Sequence, residues 1–243
     1  MSEQTETATS PENTDTAGLL GRWDELRERE SFSILGAIVF VIGFPMVFTN
    51  LPFFNGYMSL VELIYVWSIF AIGFDLLLGY TGLLSFGHAV FWGGSAYAAG
   101  LFSANFYGEP LLMVLVATVT ASVLALVIGL LSLRRGGIYF AILTLAFGQM
   151  MYYLALGPLG WLTGGEDGFT GVAVEPLLGA LSLEREFAGI LGTLLHDISY
   201  VLFAGFFVLT VAVAVRIVRS PYGAIFQAIA ENEQRVRFLG LNV

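Results

Sequence analysis

The sequence predicts an all-α fold: a polytopic bundle of about six transmembrane helices with both termini in the cytoplasm. Three observations point there. First, 57% of the 243 residues are hydrophobic and only 12% are charged, with a mean hydropathy of +0.81; ordinary soluble domains are about a quarter charged. Second, several apolar runs reach the roughly 20 residues a helix needs to cross a bilayer. Third, when those runs alternate in direction, nine of the ten basic residues fall on one side.

The elements follow in order. Residues 1–30 form a polar cytoplasmic tail rich in Ser, Thr and Glu, and roughly its first 18 residues cannot bury a core and are expected to lack fixed structure. No basic stretch leads directly into an apolar run, so a secretory signal is not expected. Trp23 to Glu30 suits a short surface helix. Residues 31–219 hold the bundle, with spans near Phe32–Thr49 (which carries Pro45), Met58–Leu78, Leu83–Phe106, Leu111–Leu133, Gly137–Leu156 and Tyr200–Val218. Gly79 to Gly82 leaves only a tight turn between the second and third. That pair could instead form a broken or re-entrant element, allowed where protein or water covers the backbone. A long outer loop runs from Gly157 to Ser199; loops of that length usually carry function or their own structure. Residues 220–243 are short, charged and cytoplasmic.

The arginines fit this order. Arg22, Arg27, Arg29, Arg134, Arg135, Arg216, Arg219, Arg235 and Arg237 fall inside, and only Arg185 falls outside. The chain has no Lys and no Cys. Thiolate metal sites, disulfides and cysteine nucleophiles are excluded, and a basic surface for nucleic acid is absent. The net charge of −9 reads either as chance plus an acidic tail or as adaptation to a high-salt, halophile cytoplasm, where acidic surfaces keep proteins soluble.

The stretch GYTGLLSFGHAVFWGGSAYAAG, Gly79 to Gly100, carries six glycines and one histidine. Ser85, Ala89, Gly93, Ala96 and Gly100 share a helix face. Ala117, Ala121, Ala125 and Gly129 repeat the pattern in the fourth span, and Gly137, Ala141, Thr144 and Gly148 in the fifth. Small faces let membrane helices approach closely, so three helices are expected to meet tightly. Intramembrane polar groups are rare and usually face an interior or a water path. Asp75, Ser85, His88, Thr144 and Gln149 are therefore the residues expected along a translocation path. His88 reads more readily as a neutral ring hydrogen-bonded between helices than as a solute contact, and Asp75 more readily as structural. Glu62, near the outer end of its span, is expected to be solvated. No metal site is expected, since His88 and His196 fall at opposite ends of the topology. Ser85 and His88 are three apart, yet no third orienting group accompanies them, and no enzyme activity is expected.

After Arg219 the sequence reads SPYGAIFQAIAENEQRVRFLGLNV. Ser220 suits an N-cap, Pro221 the first helical turn and Gly240 the stop. Ile225, Phe226, Ile229, Val236 and Leu239 make one apolar face of a predicted amphipathic helix. Glu231 and Glu233 offset the arginines, so a protein groove suits this helix at least as well as anionic lipid.

Four motifs in this order, GYTGLLSFGHAVFWGGSAYAAG, RRGGIYFAILTLAFGQM, TGGEDGFTGV and SPYGAIFQAIAENEQRVRFLGLNV, resemble the permease subunits of branched-chain amino acid ABC transporters, of the LivM type. Permeases for urea and short-chain amides share them. The resemblance implies a membrane-spanning subunit in the cell membrane, working with a second permease subunit, ATPase subunits below and an extracytoplasmic solute-binding protein above, with no nucleic acid and no cofactor of its own. It implies that the last motif couples to the ATPase through Tyr222, Gly223, Phe226, Ala228, Glu231, Asn232 and Gly240. It also implies that Thr163, Gly164, Gly165 and Gly168 form the outer glycine-rich segment, which would otherwise be a plain turn. The chain has no Gly-x-x-x-x-Gly-Lys-[Ser/Thr] motif, so ATP is expected to bind partner subunits. Family members continue into further spans, so a truncated chain, serving as a non-transporting membrane scaffold, is the alternative expectation.

Overall fold

The computed structural model describes residues 34–44, 58–133, 137–183, 187, 197–238 and 240. Expectations for the tail, Pro45, Arg134, Arg135, Arg185 and His196 fall outside these residues. The helices are α1 (Ile34–Phe44), α2 (Met58–Asp75, continued by a π-helical turn, Leu76–Tyr80), α3 (His88–Asn105), α4 (Pro110–Ser132), α5 (Ile138–Leu156), the single turn α6 (Gly160–Thr163), α7 (Ile198–Val218) and α8 (Pro221–Phe238). No strand occurs among the described residues, only an isolated bridge between Leu177 and Leu181. The protein is an all-α, multi-pass membrane bundle.

Among the described residues, four helices are long and apolar enough to cross a membrane: Ser59–Tyr80, Pro110–Ser132, Ile138–Leu156 and Ile198–Val218. The large apolar side chains of α4 point outward, and Leu115, Val119, Leu126 and Leu130 are each more than half exposed. Lipid is as good a solvent for them as a core, so α4 has no need to bury them. α3 starts at His88, not at Leu83 as the hydropathy suggested. The reason is local: Gly82 takes a left-handed φ of +69°, which ends α2, and its N–H bonds back to the Leu78 carbonyl at 3.2 Å. Residues 82–87 then pass without helix.

The helices form two groups. α1, α2 and α7 share a core of Val41, Val61, Tyr65, Tyr200, Ala204 and Phe207. Contacts near both starts, Glu62 with Ser199 and Tyr65 with Tyr200, show that α2 and α7 run parallel. Both start at the end marked by Asp197, which caps α7 by accepting from Tyr200 N at 2.8 Å. In the second group α3 lies along α4 and touches α5. Aromatic rings join the groups: Trp67 of α2 stacks on Trp92 of α3 at 5.5 Å.

The small faces do less helix packing than their spacing suggests. Gly94 seats Leu124 of α4, whose Cδ1 lies 2.6 Å from where a Cβ would stand. Gly100 instead makes room for Phe169 and Val172 of the outer loop. Gly93 and Gly129 face open space, with nothing within 4 Å of a built Cβ. Ser85 precedes the helix altogether.

Candidate functional site

Three structures punctuate the bundle: a strap inside it, a lid at its outer end and an elbow at its inner end. The strap is residues 82–87. Thr144 of α5, almost fully buried, accepts a hydrogen bond from Phe86 N at 3.2 Å and donates to the Ala141 carbonyl at 3.0 Å. Ser85, also buried, accepts from Gly87 N at 3.3 Å. A Cβ on Gly87 would stand 3.1 Å from both the Thr144 Cβ and carbonyl oxygen, so the strap approaches α5 backbone to side chain. Unpaired backbone groups in a membrane are costly, and Thr144 and Ser85 supply partners where the helix is missing.

His88 opens α3 beside this strap. Its ring meets Phe74 at 5.0 Å and Phe70 and Phe91 at 5.8 Å, all near perpendicular. Its Nδ1 is buried without a hydrogen-bond partner among the described residues. The hydrogen bond between helices expected of His88 is not made by this atom among the described residues; the rings packed around it are Phe70, Phe74 and Phe91. Asp75 is exposed, its carboxylate lying over Gly79 of the π-turn. Gln149 is exposed on α5. Of the five path residues, the fold gathers Ser85, His88 and Thr144 and leaves Asp75 and Gln149 apart. Glu62 is half-buried and accepts from Ser199 Oγ, which also reaches Asp197 at 2.9 Å; partners from α7 replace the expected water.

The lid is α6 with the following glycine turn. Thr163 is buried, donates to the carbonyls of Ala155 at 2.5 Å and Leu159 at 3.0 Å, and accepts from Gly165 N at 3.4 Å. That hydroxyl fastens α6 to the end of α5. Gly164, Gly165 and Gly168 all take positive φ (+85°, +61° and +76°), and at Gly164 a Cβ would also strike the Gly168 carbonyl. Here the glycines are required by backbone conformation. The loop beyond is strapped to α3 and α4. Ser103 Oγ donates to the Ala173 carbonyl, and Glu175 N to the Gly108 carbonyl at 2.9 Å. Buried Glu109 caps α4 by accepting from Leu112 N at 2.9 Å and reaches Leu178 N at 3.4 Å. Outside the spans, the Glu175 carboxylate raises the phenol pKa of Tyr107, by its charge first and by accepting its hydrogen bond.

The elbow joins α7 to α8. Ser220 does not cap α8; its hydroxyl donates backward to the Ile217 carbonyl at 2.6 Å, because the carbonyls ending α7 need partners too. A Cβ on Gly223 would collide with the Val218 and Ile217 carbonyl oxygens, so glycine permits the tight bend. α8 is not one continuous helix. Asn232 is extended (φ −162°, ψ 96°), and its Oδ1 accepts from Arg235 N at 3.1 Å, which makes it the N-cap of a second segment. In that segment Arg237 pairs with Glu233 at 2.5 Å, and Gly240 ends it at φ +83° with its N–H on the Arg237 carbonyl at 3.0 Å. Val236 and Gly223 are buried, Phe226 is half-buried, and Tyr222, Ala228 and Glu231 are exposed. α8 touches both α7 and the π-turn of α2, and Ala230 Cβ lies 3.4 Å from the built Cβ position of Gly82. The elbow therefore bears on the residue where α2 ends and the strap begins.

A cavity of about 380 Å³ lies between α3, α4 and α5, under α6. Its walls include Gly93, Tyr97, Thr120, Leu124, Gly148 and Tyr152. None of these was among the polar residues singled out from the sequence. From the sequence, Ala89, Gly93 and Gly148 of the small faces and Thr163 of the glycine-rich segment belong to it.

A family model described as branched-chain amino acid transport system / permease component matches residues 56–243. The chain is similar to the high-affinity branched-chain amino acid transport system permease protein LivM of Escherichia coli (strain K12), at 27% identity over 229 residues, covering 88% of this chain and 52% of that protein. It is similar to the LivM protein of Salmonella typhimurium (strain LT2) at 25% identity over 228 residues, with the same coverage. The chain spans about half the length of the curated relatives it matches. No solved structure matches.

Proposed function

The chain belongs to the branched-chain amino acid transport system permease family, and from that premise we propose that it is the membrane path of an ABC importer for branched-chain amino acids, driven by ATPase subunits docked on α8. One observation carries the coupling: α8 rests on the π-turn of α2 and, through Ala230, beside Gly82. A push on α8 reaches Gly82 directly. From there residues 82–87 lead to the Phe86–Thr144 hydrogen bond on α5. Rigid-body movement of α8 then shifts the strap against α5 and alternates access, as expected of a packed bundle with two discrete arrangements.

ATP is bound by the partner subunits, since no Lys exists here to serve a phosphate loop. The surface offered to them is exposed Tyr222, Ala228 and Glu231 beside half-buried Phe226. A solute-binding protein docks at the opposite end, over the strapped outer loop, and a second permease subunit completes the path.

The test replaces Phe226 and Glu231 together with Ala and measures ATPase co-purification and leucine-stimulated ATP turnover in the assembled transporter. Both are expected to fall at least about tenfold, the factor that the loss of ~1.4 kcal/mol of docking energy gives. Unchanged values for both refute the coupling role. Uptake of urea or a short-chain amide in place of leucine, isoleucine and valine refutes the solute.

A further inference from the structure

The cavity between α3, α4 and α5 is placed and lined in a way that ordinary packing does not explain. It reaches from Ala89, Val90 and Gly148 up to Leu159, Leu162 and Thr163. The strap lies at its lower end, where the Phe86 carbonyl and Val90 Cγ2 stand 3.8 and 4.0 Å from the built Cβ of Gly148. The lid lies at its upper end, where Thr163 is pinned to α5. Two stretches of irregular backbone thus bracket one space. Non-helical backbone at membrane depth is tolerated where it is covered by protein or lines a cavity.

The lining is open by choice of residue. At Gly93, which lines the cavity, a Cβ would meet nothing within 4 Å, so side-chain atoms added there start in open space. Glycine in a helix interior is unfavourable relative to alanine, and empty volume destabilises in proportion to its size. The next residue shows the contrast: Gly94 is needed for packing, because Leu124 occupies its missing side chain's place.

The chemistry of the lining selects the occupant. No charged side chain lines the cavity. An ammonium or carboxylate cannot be desolvated there without a partner, and the volume is in the range of small-ligand sites, about 300–1,000 Å³. We propose that this cavity receives the uncharged aliphatic side chain of the translocated solute, with the charged end of the solute held outside it, and that Gly93 sets the size of side chain admitted. This inference rests on the transport reading above and goes beyond it by assigning a selectivity pocket and a residue that gauges it.

The chain has no native cysteine, so Gly93→Cys gives the one thiol on this subunit, and its labelling is read on the separated subunit. In the assembled transporter, leucine is expected to slow its modification by N-ethylmaleimide about tenfold at roughly ten times the half-saturating concentration. Glycine at the same concentration is expected to leave the rate within about twofold. A thiol at Leu126→Cys, on the exposed face of α4, is expected to be indifferent to both. In parallel, Gly93→Leu is expected to cut leucine-stimulated ATP turnover at least about tenfold while alanine-stimulated turnover stays within about threefold. The inference is overturned if leucine gives no protection, if protection follows the acyl-chain length of the vesicles instead of the amino acid (a lipid tail fills the space), or if it requires only the second permease (a partner side chain fills it). It is also overturned if Gly93→Leu responds to leucine as the wild type does, a result that leaves the transport reading standing. Absence of any leucine-stimulated turnover in the wild-type complex instead defeats the transport reading, and this inference with it.

Discussion

Tyr200→Phe tests how the first helix group is held together. The Tyr200 hydroxyl donates to the Val41 carbonyl at 2.5 Å and lies 2.6 Å from the Tyr65 hydroxyl; both rings are fully buried. The tyrosine from α7 thus supplies a donor to a carbonyl of α1. With Phe at 200, two buried groups lose their partner: the Val41 carbonyl and the Tyr65 hydroxyl. An orphaned buried polar group costs about 1–3 kcal/mol in soluble proteins, but side-chain hydrogen bonds measured within membranes average only about 0.6 kcal/mol, with a maximum near 1.7. Two such groups give a loss of about 1.2 kcal/mol for Tyr200→Phe. Tyr65→Phe removes only one bond and leaves Tyr200 free to donate to Val41, so about 0.6 kcal/mol is expected. The double variant should cost less than the sum, because Tyr65→Phe removes the hydroxyl that Tyr200→Phe would orphan. Unfolding of purified protein in mixed micelles, followed by circular dichroism against increasing denaturing detergent, gives all three values. If Tyr65→Phe proves as damaging as Tyr200→Phe, the carbonyl is not the group that matters and the reasoning fails.

Two further outcomes follow from backbone geometry. Gly164→Ala, at φ +85° with a Cβ aimed at the Gly168 carbonyl, should destabilise the lid by at least the ~1–2 kcal/mol of a left-handed alanine, seen as faster proteolysis between Thr163 and Phe169 with the melting temperature of the bundle unchanged. Asn232→Ala removes the cap of the second segment of α8 and should cost it about 1 kcal/mol. Hydrogen exchange at the Arg235 amide should rise about fivefold, while that of α7 should not change.

The sequence determined what depends on short stretches of chain. A run of apolar residues crosses lipid whatever its neighbours are, so α2, α4, α5 and α7 were readable from length and hydropathy. A glycine forced to positive φ by a turn is likewise local, and so the outer turn at Gly164–Gly168 and the stop at Gly240 were legible. The family motifs were legible for the same reason, since each is a contiguous string. Tertiary structure decided everything that rests on who stands opposite. Gly93 and Gly94 are adjacent and chemically identical, yet a Cβ on one would meet open space and on the other a leucine of α4. Ser220 was expected to cap the helix after it, but the carbonyl within reach belonged to the helix before it. The donor for Val41 comes from Tyr200, far along the chain, because only folding brings α1 and α7 together. Periodicity tells which residues share a face; it carries no information about what that face meets, and in a membrane, where lipid satisfies any apolar face as well as protein does, hydrophobicity cannot supply it either.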